Sequence, residues 1–150
     1  MKKISYIIFT IAVLCGVGAC TEDMKYTDAA VKAPAGLMLP ADNYFLELQS
    51  GSGTSMNFSW LPGACEDGYP VQYEMVFFDK VSNGKELGRI DAGVQAQVVV
   101  SHKDINRIAG EAGIAPGETG SIYWSVYSAR GLNQALSPAT PSKLDVKRLL

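Results

Sequence analysis

Few side chains in this 150-residue chain have types and spacings that could do covalent chemistry, and the clearest is Cys20 at the end of Val17-Gly18-Ala19-Cys20. Small residues at 18 and 19 let a lipoprotein signal peptidase close on the backbone just before a thiol already converted to a diacylglyceryl thioether. Cys20 is therefore the expected lipid-attachment site and first residue of the mature protein. The other two cysteines do not make a disulfide: Cys15 falls in the segment that would be discarded, and Cys65 is left without a partner. Cys65 is expected to be a small inert residue in a loop rather than a reactive thiol. The single histidine, His102, excludes a zinc site of the usual His/Cys kind, and it is expected to be a solvated helix-start residue.

No catalytic constellation is visible. A glycosidase needs two carboxyl groups held about 5–10 Å apart across a cleft, whereas Glu66, Asp67, Asp79 and Glu118 all sit on turns. There is no Ser/His/Asp context and no Gly-rich phosphate loop. The chain reads as a non-enzyme with no catalytic residue, no metal and no cofactor.

The residues before Cys20 must deliver it to the processing machinery. Lys2 and Lys3 make a positive start, and Ile4 to Leu14 is an apolar run broken only by Ser5 and Thr10, as in the core of a cleaved signal peptide. It falls short of the about 20 apolar residues needed to span a hydrocarbon core. Residues 1–19 are thus expected to be a lipoprotein signal peptide. Its loss removes two lysines and leaves 11 Lys and Arg against 15 Asp and Glu, a formal charge of −4. An acidic surface argues against nucleic acid as a partner and against electrostatic adhesion to anionic lipid. Attachment to the membrane would rest on the acyl chains. Residues 20–34, polar or small, are expected to be a flexible tether.

From residue 35 to 150 short runs of alternating polarity are closed by Gly, Pro, Asn or Asp, the signature of an all-β sandwich. Met56, Phe58 and Trp60 share one face of a strand, as do Val71, Tyr73, Met75 and Phe77 of the next. Asn83-Gly84 suits a tight hairpin reversal. Ser101 and Asp104 read as the capping pair of a short helix carrying Ile105, Ile108 and Ala109, with Gly113 placed to end it. Ser121 to Arg130 alternates again. After a turn at 131–134, Pro138 and Pro141 delay pairing until a last strand over 143–148. About seven strands and one crossover helix are expected. Trp60 and Trp124 fall on core faces, and the same alternation sends Phe78, Tyr123 and Tyr127 outward on neighbouring strands, where they could form a ligand or partner surface.

The order of Trp60, Val71-Gln72-Tyr73-Glu74-Met75, the valine strand running into Ser101-His102-Lys103-Asp104-Ile105, and Ile122-Tyr123-Trp124-Ser125-Val126-Tyr127-Ser128-Ala129 resembles the N-terminal immunoglobulin-like or fibronectin III-like domain of SusE and SusF lipoproteins of Bacteroidetes. Glu22 and Asp23, just after Cys20, resemble the surface-export signal of such lipoproteins. The resemblance implies a lipid-anchored outer-membrane protein, at the cell surface or on the periplasmic face. It also implies a place in a polysaccharide-utilisation system of the starch-utilisation type, beside a TonB-dependent importer and a SusD-like lipoprotein. In that family sugar binding belongs to domains further along, so the resemblance implies a spacer or interaction module here. Direct polysaccharide binding through surface aromatics is the alternative.

Overall fold

The computed structural model describes residues 29–150, without the side chains of Pro138 and Ala139. The expected signal peptide, Cys20 and the tether up to residue 28 lie outside the described residues. Among the described residues the fold is a β-sandwich with one helix, as the alternation implied, of the immunoglobulin-like kind that the resemblance implied. Strands β1 (Val31–Lys32), β2 (Gly36–Leu39), β3 (Tyr44–Glu47), β4 (Ser55–Leu61), β5 (Ala64–Cys65), β6 (Gln72–Phe78), β7 (Glu86–Gly93) and β8 (Gln97–Ser101) precede helix α1 (His102–Glu111), and β9 (Thr119–Arg130) and β10 (Asn133–Lys147) follow it. A five-stranded sheet runs β3-β10-β9-β6-β7, a three-stranded sheet runs β2-β4-β8, and β1 pairs with β5. Between β2 and β3 the chain passes from one sheet to the other, and β3 then joins β10 in parallel, Leu144 opposite Tyr44 through Lys147 opposite Glu47. Every other pairing is antiparallel.

The core forms because both inner faces are apolar at every second residue. Phe58 and Trp60 from β4 meet Tyr73, Met75 and Phe77 from β6 and Ile122, Trp124 and Val126 from β9, all buried. The rings interlock edge to face: Phe58 lies 5.1 Å from Trp124 and 5.8 Å from Phe77, and Trp60 lies 5.6 Å from Tyr73. Each such side chain contributes about 1.5–3 kcal/mol of burial, and edge-to-face contact adds to that. Gly63 allows the closest backbone approach in this region. A Cβ there would collide with the Ser128 hydroxyl and the Lys32 carbonyl, and its N–H donates to the Tyr73 hydroxyl at 3.1 Å.

Helix α1 crosses between the sheets with Ile105, Ile108 and Ala109 buried. Its start is as expected: the Asp104 N–H donates to Ser101 Oγ at 3.1 Å, and that hydroxyl donates to Asp104 Oδ2 at 2.5 Å. At its end Gly113, with φ 84°, lets its own N–H reach Gly110 O and the Ile114 N–H reach Ala109 O.

Four local expectations are corrected. His102 is not solvated: it is 8% exposed, and its Nδ1 accepts the Gln49 N–H at 3.0 Å. Residues 29–34 are not tether, since Val31 pairs with Cys65, Asn133 Nδ2 donates to Ala29 O, and the Ser137 hydroxyl donates to Pro34 O. The β6–β7 connection is not a tight two-residue reversal. It is a loop closed by Asp79, whose N–H donates to Lys85 O and whose Oδ1 accepts the Lys85 N–H at 2.7 Å, with Asn83 at φ 52° inside it. The last strand starts at Asn133 rather than 143, because Gly131, with φ 59°, reverses the chain in two residues and sets Arg130 opposite Asn133. The ladder then breaks between Ser137 and Ser142, where Pro138 and Pro141 have no N–H to donate.

The chain enters and leaves the sandwich at opposite poles. Ala29 is held beside Asn133 at the end of β9, while Leu149 accepts the Gly117 N–H near its start. The 12 residues of β9 span about 40 Å between them.

Candidate functional site

The outer face of the five-stranded sheet is built by the strands that build the core. Phe77 opposite Trp124 points inward, so Phe78 opposite Tyr123 and Glu74 opposite Tyr127 point outward, with Val76 opposite Ser125 between them. The structure therefore brings Phe78 and Tyr123 together as direct cross-strand neighbours. Tyr127, four residues along β9, lies about 13 Å further on.

These rings do not stand free. Phe78, Tyr123 and Tyr127 are each half-buried, and Val76 and Ser125 between them are fully covered. Arg89 of β7 sits over the Tyr127 ring, 4.9 Å from its centroid. Its guanidinium is locked by Glu86, with Nε to Oε1 at 2.7 Å and Nη2 to Oε2 at 3.0 Å, and by Glu74 through Nη1 at 2.9 Å. The fork hydrogen-bonded to Glu86 holds that carboxyl below the usual carboxylate range, and the two glutamates raise the guanidinium further above its own. Tyr127 is thus the floor under an ion-pair network. Phe78 forms one wall of a shallow pocket of about 160 Å³ with Lys80, Val81, Asn83, Leu136 and Pro141. Beside Tyr123, Lys143 pairs with Asp145 at 3.0 Å, and the Ser121 hydroxyl donates to the same carboxylate at 2.6 Å. The Ser121 bond, then Lys143, holds the Asp145 carboxyl below its ordinary value.

Three features were missed in the sequence. Phe45, 52% exposed and opposite Asp145, adds a ring to the same outer face from the edge strand β3. Arg89 was not recognised as the cap on Tyr127, because its register with β6 depends on an irregular pairing. Tyr69, 63% exposed, stands in the β5–β6 loop with the Arg130 guanidinium 4.6 Å from its ring centroid. Asp67 fixes that pair, taking the Tyr69 N–H at 3.0 Å and bridging to Arg130 at 2.7 Å. Its setting in Gly68-Tyr69-Pro70, a large ring between two turn residues, was the available signal.

The remaining sequence candidates do not join this surface. His102 caps a backbone amide from within the fold, and Cys65, expected in a loop, is instead buried in β5, paired with Val31 and with its thiol 4.0 Å from Ala29 O. Among the described residues no group of three or more His, Cys, Asp or Glu could hold a metal ion, and no helix is long and apolar enough to cross a membrane. The face offers ring edges, paired charges and a shallow hollow, which suit contact with another surface.

Neither a curated protein nor a solved structure matches the chain. The family model described as SusE outer membrane protein matches residues 21–127, from the segment before the sandwich to the middle of β9. That match covers most of the chain and the inner-face pattern of β4, β6 and β9, so this chain belongs to the SusE family of outer membrane proteins.

Proposed function

We propose that this protein is a lipid-anchored accessory module of a polysaccharide-utilisation system, acylated at Cys20 after removal of residues 1–19. Its domain would contact other proteins rather than hold glycan itself. The short segment from Cys20 to residue 28 would tether the sandwich to the outer membrane, with Glu22 and Asp23 favouring the cell surface. Partners of the expected kind are a TonB-dependent importer and a SusD-like lipoprotein. No catalytic role is assigned.

The observation that carries this reading is the state of the outer-face rings. A sugar platform needs bare ring faces, yet Tyr127 lies under Arg89, itself held by two glutamates, and Phe78 and Tyr123 are half-sunk. Tyrosine, arginine and phenylalanine among paired charges make instead the composition of protein contact surfaces. The test replaces Phe78, Tyr123 and Tyr127 together by Ser. Wild-type protein should not be retained on a starch or other polysaccharide affinity gel, and the triple variant, less stable for the loss of three half-buried rings but still folded at working temperature, should lose co-purification with outer-membrane partners. Clear retention of the wild type on a glycan gel overturns the reading.

One observation favours direct glycan binding instead, namely the exposed Tyr69 ring that Arg130 and Asp67 hold in place. Tyr69→Ala belongs in the same gel assay, where loss of any retention would locate a sugar contact at that loop.

A further inference from the structure

Natural sheets blunt their free edges with charge, proline, bulges or brevity, because an open row of backbone donors and acceptors templates another strand. Of the four edges of the two larger sheets, three follow that rule. β7 carries Glu86, Arg89 and Asp91, β3 is four residues long and ends in Glu47, and β2 is four residues long with a register shift at Leu37/Leu39. β8 does not. Gln97-Val98-Val99-Val100-Ser101 has no charge and no proline, and it pairs with β4 without a shift.

The ladder fixes which groups face outward. The His102 N–H donates to Thr54 O and the Trp60 N–H to Ala96 O, at 3.0 and 3.1 Å, so alternation gives Val98 and Val100 to β4. Gln97 and Val99 then turn N–H and C=O to the free edge and Ser101 turns only its N–H, its C=O being taken by the first turn of α1, and no strand of the described chain pairs with these groups. Val99 also exposes its side chain, at 65%.

We propose that β8 is a homodimerisation edge, at which a second copy of this chain adds antiparallel to it with Val99 opposite Val99. This goes beyond the accessory role and does not depend on it. A two-fold axis through that pair lets the two Val99 residues exchange both backbone bonds and sets Gln97 against Ser101 of the second copy, where the Ser101 N–H meets the Gln97 C=O. No like charges oppose each other anywhere along the segment, and the two three-stranded sheets merge into one. The same operation on β7 would stack its charged edge on itself, which is why the second copy is placed at β8.

The test uses the full-length protein, both in cells and purified in detergent. Opposed residues of an antiparallel hydrogen-bonded pair have Cα atoms about 5.5 Å apart, within disulfide reach. Val99→Cys should therefore give an oxidised dimer in cells, while Gln97→Cys, which faces Ser101 rather than itself, should give little and wild type none. By light scattering the wild-type protein should be a dimer whose melting temperature rises with protein concentration, and Val99→Lys a folded monomer whose melting temperature does not. A monomeric wild type, absence of the Val99→Cys bridge, or equal bridging at 97 and 99 as expected of random collision or aggregation would each overturn the proposal.

Discussion

Trp124 is fully buried at the middle of β9, with Phe77 opposite it in register and Phe58 of the facing sheet edge-on at 5.1 Å. Walls contributed by two sheets cannot collapse together, so Trp124→Ala should leave a cavity and cost about 3–5 kcal/mol. That is enough to unfold a domain of ordinary stability, and a thermal melt matching the wild type would contradict it. His102 works through one hydrogen bond. His102→Ala strands the Gln49 N–H and should lower stability by about 1–3 kcal/mol, while Lys103→Ala, exposed beside it, should change the melting temperature little. The two residues differ in how legible they were. Trp124 was placed in the core by the alternation of its own strand, a local signal. His102 was misread because its partner amide lies 53 residues away, and helix-start periodicity carries no information about such a contact.

Between elements, the β9–β10 ladder is held on its outer side by Asp145, which Ser121 and Lys143 keep ionised. Because the folded-state pKa is lowered, the stabilisation is complete above the unfolded value of about 4 and is lost as the pH falls through the lower folded value. Asp145→Asn should therefore be less stable than wild type at neutral pH and lose less further stability as the pH falls below about 4. Parallel pH–melting curves would show that this carboxylate has no such role. Strand faces were legible throughout because a period of two is written into each segment. Strand limits were less so. Gly131 marks the turn, but the prolines at 138 and 141 interrupt a strand that begins before them rather than postponing it. Asn83-Gly84 suggested a tight reversal, whereas the loop is set by Asp79 reaching Lys85.

For the molecule as a whole, the fold class was legible and the strand order was not, since nothing in either segment announces that β3 pairs with β10 across 100 residues. The outer-face rings were found by alternation, but the arginine that covers one of them comes from a neighbouring strand whose register is irregular. The anchor proposal belongs to this scale too. Cys20→Ser should abolish palmitate labelling and leave unprocessed precursor, and unchanged labelling would refute it.

The parallel pairing of β3 with β10 also bears on how the domain would carry a load. The third strand, β3, and the final strand, β10, run side by side in the same direction and take the load once β1 and β2 are drawn off their partners, while the described chain enters and leaves at opposite poles. Tension applied between the ends pulls these two strands past each other along their length, so the bonds joining Leu144–Lys147 to Tyr44–Glu47 must give way together. Tension applied across the β6–β7 hairpin would peel its bonds one at a time. In a single-molecule stretching experiment, end-to-end pulling should need the larger rupture force, so that a domain tied to a membrane at its entry pole and drawn on at the other behaves as a clasp rather than a zip.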